Sequence, residues 1–368
     1  KLALRNLWKN KGFSLINIGG LAIGIASCMI LLLYVAYEWS YDKQFTNNDK
    51  TYVVYQNSVA NGKTFSWAWT PNVMANEVQE KITGVKYASH STYPNPKLIT
   101  VGDKKINSRS VFADPNFVKI FDYKFIKGDP NEVLKDINTI ILTKSFAEKL
   151  FGTEDPINKT VKLENQDVLK VSAVIEDVPA NNSIVFECLM PWALFEKREP
   201  WVKDFNWGNN MCLTIVQLKD NVFFSKANAE MLGIYKRNQK GNNAEALLHP
   251  LNKWHLYADF ENGKSVGGKI DQLKIFLLLA FCILLIACVN FMNLSTARSE
   301  GRAKEVGVRK AIGSSRKSLI TQFFLESMLI TFMATALAFI LVEISLPYFN
   351  NLLNIQLTID YKNSAFWF

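Results

Sequence analysis

Apolar residues are spread along this chain in two ways. Three stretches are almost free of charge, while the long interval between the first two alternates apolar and polar positions at strand and helix spacing. Between Lys11 and Glu38 stand 26 residues without a charge, and between Lys274 and Arg298 another 23. A bilayer core takes about 20 residues of helix to cross, so both stretches read as spans. A third run, Ser327 to Val342, has 16 residues. It reaches span length if its helix begins near Ser318 with Glu326 close to the interface, and Pro347 is expected to end it. A cleaved leader is rejected for the first run, which is too long and lacks a small-x-small exit.

The interval between the first two spans predicts an α+β domain. Lys50 to Ser58 alternates like a half-buried strand, and Val85 to Tyr93 and Lys104 to Ala113 are strand-like. Pro71 to Lys81 has helical spacing, with Thr70 suited to its start. Asn138 to Thr143 runs as a strand into a helix over Lys144 to Gly152, where the glycine is the stop. Thr160 to Glu164, Asp167 to Val178 and Ser183 to Met190 predict a meander with Asp, Asn and Pro turns. Met211 to Leu218 is a further strand, Ser225 to Gln239 a helix and Ala244 to Leu251 a late strand.

Charge sets the topology. The chain has 42 Lys+Arg against 33 Asp+Glu, a formal charge of +9. Residues 38–274 hold 30 basic and 28 acidic residues, so the excess lies elsewhere. Lys1, Arg5, Lys9 and Lys11 precede the first span. Arg298, Arg302, Lys304, Arg309, Lys310, Arg316 and Lys317 follow the second, against Glu300 and Glu305. Short basic segments stay cytoplasmic, which places the large domain outside the cytoplasm. The basic excess is therefore a topology signal and no nucleic-acid footprint. The expected fold class is a membrane protein of transmembrane α-helices with a large α+β extracytoplasmic domain inserted between spans 1 and 2. Three spans are present. The aromatic ending Ala365 to Phe368 reads as the start of another apolar segment, so a fourth span is expected beyond it.

The chemistry of a soluble enzyme is missing from the pattern. Gly263-Lys264-Ser265 is the sole Gly-Lys-Ser, and the position five before Gly263 is Ala258 where a P-loop needs glycine. His90, His249 and His255 have no metal-ligand spacing, and the last two are expected to serve packing or capping. Glu176-Asp177 reads as a turn acceptor ahead of an acid/base pair. Cys188 and Cys212 are the two cysteines of the external domain, and spacing alone does not pair them. Gly20 and Gly24 in the first span make a small-xxx-small face, open to packing within one subunit or between two.

The loop after the second span is the most informative segment. Ala303, Val306, Ala311 and Ile312 are read as an apolar stripe, with Arg302, Lys304, Glu305, Arg309 and Lys310 facing elsewhere. Gly313 is expected to stop this helix, and Ser314 or Ser315 to cap the next. A basic amphipathic helix of this kind lies on anionic headgroups or docks in a groove of a cytoplasmic partner, and both remain open on the residues alone.

ARSEGRAKEVGVRKAIGSSRKSLITQFFLES (Ala297 to Ser327), set after one span, a large external domain and a second span, resembles the FtsX/MacB-like family of ABC transporter permeases. Ala3 to Ile25 looks like that family's N-terminal helix and first span. Phe112 to Pro130, Leu142 to Leu163 and Val171 to Ser183 look like its periplasmic core domain, and Ala287 to Ser299 like the inner end of its second span. The resemblance covers nearly the whole chain. Its style is nearest the long permeases of Bacteroidetes-type bacteria, where the unit occurs twice, and it identifies this chain as an N-terminal unit cut at its C-terminus. Asn158 departs from the family by standing where Gly is common in a DPxGK turn; Asn tolerates a left-handed backbone, so the turn is expected to survive.

The resemblance implies seven segments. Residues 1–12 form a cytoplasmic amphipathic helix, 13–37 the first span and 38–267 the periplasmic core domain. Residues 268–297 form stalk and second span, 298–317 the cytoplasmic coupling loop and helix, and 318–346 the third span. Residues 347–368 lead outside towards the missing fourth. It implies a permease subunit in a bacterial inner membrane that holds no cofactor itself and is not an enzyme. Family members with their ATPase on the same chain carry it before the first span, so a separate cytoplasmic ABC ATPase, binding ATP and Mg, is the implied partner. A second permease unit completes the assembly, as a homodimer or as the second half of one polypeptide. A periplasmic adaptor or outer-membrane protein is a further partner the resemblance allows. ATP-driven closure below the membrane would pass through the loop and second span to the external domain, to extrude an antibiotic, peptide or lipoprotein. A membrane-anchored sensor and a regulator of cell-wall hydrolases are the alternatives. Arg302, Glu305, Val306, Arg309 and Lys310 are expected to touch the ATPase, and Gly313 to set the turn into the third span.

Overall fold

The computed structural model describes residues 11–204, 206–301, 303–359 and 361. In chain order the first elements are α1 (Lys11–Trp39), β1 (Thr51–Ala60), β2 (Lys63–Trp67), β3 (Thr70–Pro71), α2 (Met74–Lys81), β4 (Val85–Ser91), β5 (Asn95–Val101) and β6 (Lys104–Ala113). There follow α3 (Pro115–Ile120), β7 (Phe125–Lys127), β8 (Thr139–Thr143), α4 (Lys144–Phe151), β9 (Thr160–Leu163), β10 (Asp167–Ile175) and β11 (Cys188–Pro191). Next come α5 (Trp192–Arg198), α6 (Trp201–Asp204), β12 (Asn210–Leu218), α7 (Phe224–Leu232), α8 (Ile234–Asn238), β13 (Glu245–Pro250) and α9 (Leu251–Trp254). The last are β14 (Asp259–Glu261), β15 (Lys264–Gly267), α10 (Lys269–Gly301), α11 (Ala303–Ala311) and α12 (Arg316–Leu353). They divide into two units, one holding the long helices and one running from Ser40 to Ile270.

In the Ser40–Ile270 unit, six strands close a ring in the order β6-β11-β8-β10-β9-β5 and back to β6. From β6 the sheet continues through β4, β12, β1 and β13, with β2 added on β1 and β3 on β12. Both faces of β8 are buried, which explains its apolar Ile140-Ile141-Leu142 run. Ile140 and Leu142 face a core with Phe146 and Leu150 of α4 and Trp192 of α5. Ile141, one residue out of phase, faces another with Phe117, Phe121 and Phe186. A third core lies beneath α2, α7 and α8, around Val54, Val78, Val216, Met231 and Tyr235.

Several expectations change here. The strand over Asp167–Ile175 does not meander into the next: β8 lies between β10 and β11, parallel to β10. The local pattern carried no trace of this long-range insertion. Residues 183–187 form no strand, and pairing begins at Cys188. Thr70 starts no helix. Thr70–Pro71 pairs with β12, and the Thr70 hydroxyl donates to the Cys212 carbonyl at 3.0 Å. The helix expected over Ser225 to Gln239 is two, α7 and α8, divided at Gly233. Cys188 and Cys212 are separate buried thiols, and burial pushes each up to about 12. Glu176 pairs with Lys124 at 2.6 Å, while Asp177 accepts from the Ser145 amide at the start of α4. Gly263-Lys264-Ser265 belongs to the β14–β15 hairpin, where Asn262 and Gly263 take φ of 49° and 78°. That Asn-Gly pair is the strongest short hairpin signal and was passed over in the sequence.

In the other unit, α1, α10 and α12 are each long and apolar enough to span a bilayer. Leu21, Ala22 and Ala26 of α1 share a core with Ala334, Ala338, Val342 and Leu346 of α12 and with Ala287 of α10. The small residues let the helices approach closely. A Cβ added at Gly24 would lie 2.4 Å from the Ala287 Cβ, and one at Gly20 would lie 3.7 Å from the Asn290 amide nitrogen. This face of α1 is thus covered within one chain. Pro347 does not end the third helix: α12 runs through it to Leu353, and Asn354 closes the helix in a left-handed conformation at φ 52°. Within a bundle, neighbouring groups tolerate the carbonyl that a proline leaves unbonded. Glu326 is buried in the unit.

Candidate coupling segment

The segment between α10 and α12 is built from three local decisions. Helix α10 runs on past the apolar stretch to Gly301, so residues 298–301 belong to it. Its 33 residues measure about 50 Å at 1.5 Å per residue. Helix α11 then covers Ala303–Ala311, and Ile312 and Gly313 close its last turn by donating to the Val308 and Lys310 carbonyls, both at 3.1 Å. Gly313 sits at φ +96°, a conformation a side chain would strain, and this sets the turn. Ser315 caps α12: its Oγ accepts from the Ser318 amide at 3.3 Å.

Arg302 lies outside the described residues, as do the side chains of Glu305 and Arg309. Val306 is half-buried, and Lys310 and Gly313 are exposed. The apolar surface open to solvent lies on a neighbouring face. At the helical spacing of 100° per residue, Val308, Ala311 and Ile312 fall together. Val308 is 58% exposed and Ile312 80%. Sequence reasoning found Ala311 and Ile312 but missed Val308, which the i, i+4 relation to Ile312 would have flagged. This surface can bury apolar area in a groove.

The three histidines lie among aromatic and polar side chains of the external domain. His249 is buried between Tyr55 and Phe260, and His255 stacks on Tyr41. The His90 amide donates to Asp114 at 2.9 Å. Among the described residues no group of three His, Cys, Asp or Glu is placed to hold a metal ion.

Residues 14–234 match the family described as MacB-like periplasmic core domain, and residues 277–368 match the FtsX-like permease C-terminal. The macrolide export ATP-binding/permease protein MacB of Neisseria gonorrhoeae is 26% identical over 210 residues, covering 55% of this chain and 29% of that protein. Its namesake from Aggregatibacter actinomycetemcomitans is 20% identical over 346 residues, covering 90% of this chain and 50% of that protein. The chain thus spans half or less of the length of these relatives. The solved periplasmic region of MacB from Actinobacillus actinomycetemcomitans shares 15% identity at a TM-score of 0.41, over 55% of this chain and 89% of that one.

Proposed function

The chain belongs to the family of ABC transporter permeases with a MacB-like periplasmic core domain and an FtsX-like permease C-terminal, and on that premise we propose that it is a mechanotransmission subunit. A pair of cytoplasmic ABC ATPases binds ATP and Mg and closes below the membrane. The α11 segment follows that closure, and α10 carries the displacement to the periplasmic domain. This chain holds no cofactor for the cycle. A second permease unit stands beside it in a bacterial inner membrane, and a periplasmic adaptor or outer-membrane protein receives what is extruded. The cargo class is an antibiotic, peptide or lipoprotein.

One observation carries this reading furthest. A single uninterrupted helix joins the last residues of the external domain to a short segment with apolar side chains open to solvent. A helix continuous over about 50 Å transmits a push along its axis. Polar side chains of α10 within the apolar stretch, Asn290, Asn293, Ser295 and Thr296, gather at its inner end. A hydrophilic conduit needs such lining along its whole length.

The test is a mild-detergent pull-down of the full-length chain from its native membranes, followed by assay of bound ATPase. Wild type is expected to bring an ATPase with it. Ile312→Asp and Val306→Asp are expected to insert normally and to lose it, since each puts charge where apolar area is to be buried. Wild type arriving without ATPase activity would overturn the reading and favour an anchored sensor.

A further inference from the structure

The first residues of the external domain are tied to a distant loop by four hydrogen bonds. Asn181 Nδ2 donates to Ser40 Oγ at 2.7 Å, and the Asp42 amide donates to the Asn181 carbonyl at 3.1 Å. The Ser183 amide and hydroxyl donate to the two Asp42 carboxylate oxygens at 2.8 Å and 2.5 Å. Asp42 is 1% exposed and takes a left-handed backbone at φ 57°. Trp39, the last residue of α1, is joined covalently to Ser40. The segment leaving the first span is therefore gripped by the Asn181–Ser183 loop before β1 begins.

The grip has an unusual composition. A buried carboxylate is normally met by a cation. The two bonds from Ser183 come from neutral donors. Besides Ser183, the groups near Asp42 include the His255 ring, which favours the carboxylate, and the buried Tyr123 hydroxyl, which is near Asp122 as well. The Tyr123 hydroxyl and the Asn182 side-chain nitrogen are buried with no hydrogen-bond partner among the described residues. Desolvation outweighs the bonds from Ser183 and holds the Asp42 carboxyl above the usual carboxylate range. Closing this contact strips water from a charge, and opening it returns that water. The desolvation works against the four hydrogen bonds, so the contact is held less tightly than those bonds alone would hold it.

We propose that Asp42 and the Asn181–Ser183 loop form a releasable joint between the segment leaving the first span and the periplasmic domain, closed at rest and opened in each transport cycle. The proposal rests on the mechanotransmission reading for its role, but not for its existence. Asp42 is then a positioning residue, and its buried charge keeps the joint from locking shut.

Asp42→Asn separates a joint from a simple brace. Asn keeps the left-handed backbone. Its oxygen can accept from the Ser183 amide and its nitrogen can donate to the Ser183 hydroxyl, so both contacts survive while the buried charge goes. Amide hydrogen exchange at residues 40–44 and 181–183 is measured on the full chain in detergent. Asp42→Asn is expected to slow it several-fold and raise the thermal midpoint, and Ser183→Ala to speed it several-fold. In the assembled complex, wild-type exchange at these amides is expected to rise during ATP turnover. Asp42→Asn should suppress that rise and slow turnover, despite a more stable protein. A brace predicts the reverse, with stability and turnover moving together. Exchange that is unchanged by both substitutions, or wild-type exchange that is equal at rest and during turnover, overturns the joint. The exchange measurement on the chain alone stands even if no ATPase is found, so failure of the joint is distinct from failure of the transport reading.

Discussion

His249 illustrates what one buried ring contributes. Its imidazole is 5% exposed, set edge-on to Tyr55 and Phe260, and desolvation lowers its pKa to about 4. The ring is therefore neutral in the folded chain at neutral pH. An unfolded chain binds a proton there at pH 6.5, so stability is full above that value and is lost as the pH falls towards 4. The loss by pH 4.5 is about 2 kcal/mol. His249→Leu removes the proton site, and denaturant unfolding followed by tryptophan fluorescence should show a smaller drop between pH 7 and pH 4.5. An unchanged drop would assign the acid sensitivity to other groups. At this scale the sequence was legible wherever a residue acts on its own backbone. Gly152, Asn158 and Gly313 all take the positive φ that their turns need. It was silent on Asp42, whose partner loop lies far along the chain and whose burial has no local signature.

Among the elements, the helix contact at Gly24 makes the clearest demand. The Ala287 methyl occupies the space a side chain would need. Gly24→Leu is expected to cost about 1–3 kcal/mol by overpacking, seen as a lower thermal midpoint in detergent. Gly19→Ala, with open space around it, should be neutral. Combining Gly24→Ala with Ala287→Gly should restore most of what Gly24→Ala alone loses, because the methyl simply changes sides. The three long helices were readable because length and absence of charge are local properties. The strands that escaped include short and partly exposed ones. Lys63–Trp67 is partly exposed along its length, and Asn95–Val101 opens with Asn, Pro and Lys. The helix over Ala303–Ala311 was legible from its spacing, but the place of Val308 on its apolar face was not, because a short helix offers too few repeats to fix its phase.

For the whole molecule, the distribution of charge fixes an orientation that labelling can check. With the native cysteines replaced by serine, Asn131→Cys should react with a membrane-impermeant thiol reagent added on the outer side of the sealed membrane. Gly307→Cys should react once the membrane is opened and not before. The opposite pattern would invert the topology and remove the proposed coupling segment from reach of a cytoplasmic ATPase. What the sequence could not convey at this scale is closure. The ring of six strands and the pairing of β1 with β12 and β13 are long-range facts, each made by segments that look alike one at a time.

The pairing of the first strand with the last governs how the protein is made. Tyr52 to Asn57 lie opposite Pro250 to Glu245, so β1 has no partner on that side until the end of the insert has crossed the membrane. The second span begins soon after, at Lys269. Synthesis therefore leaves that edge of β1 open until β13 follows, and its closing and the release of the second span fall due together. Non-local pairing of this kind is slow, so that edge of β1 stays open while the ring of six strands, complete at Pro191, can already close.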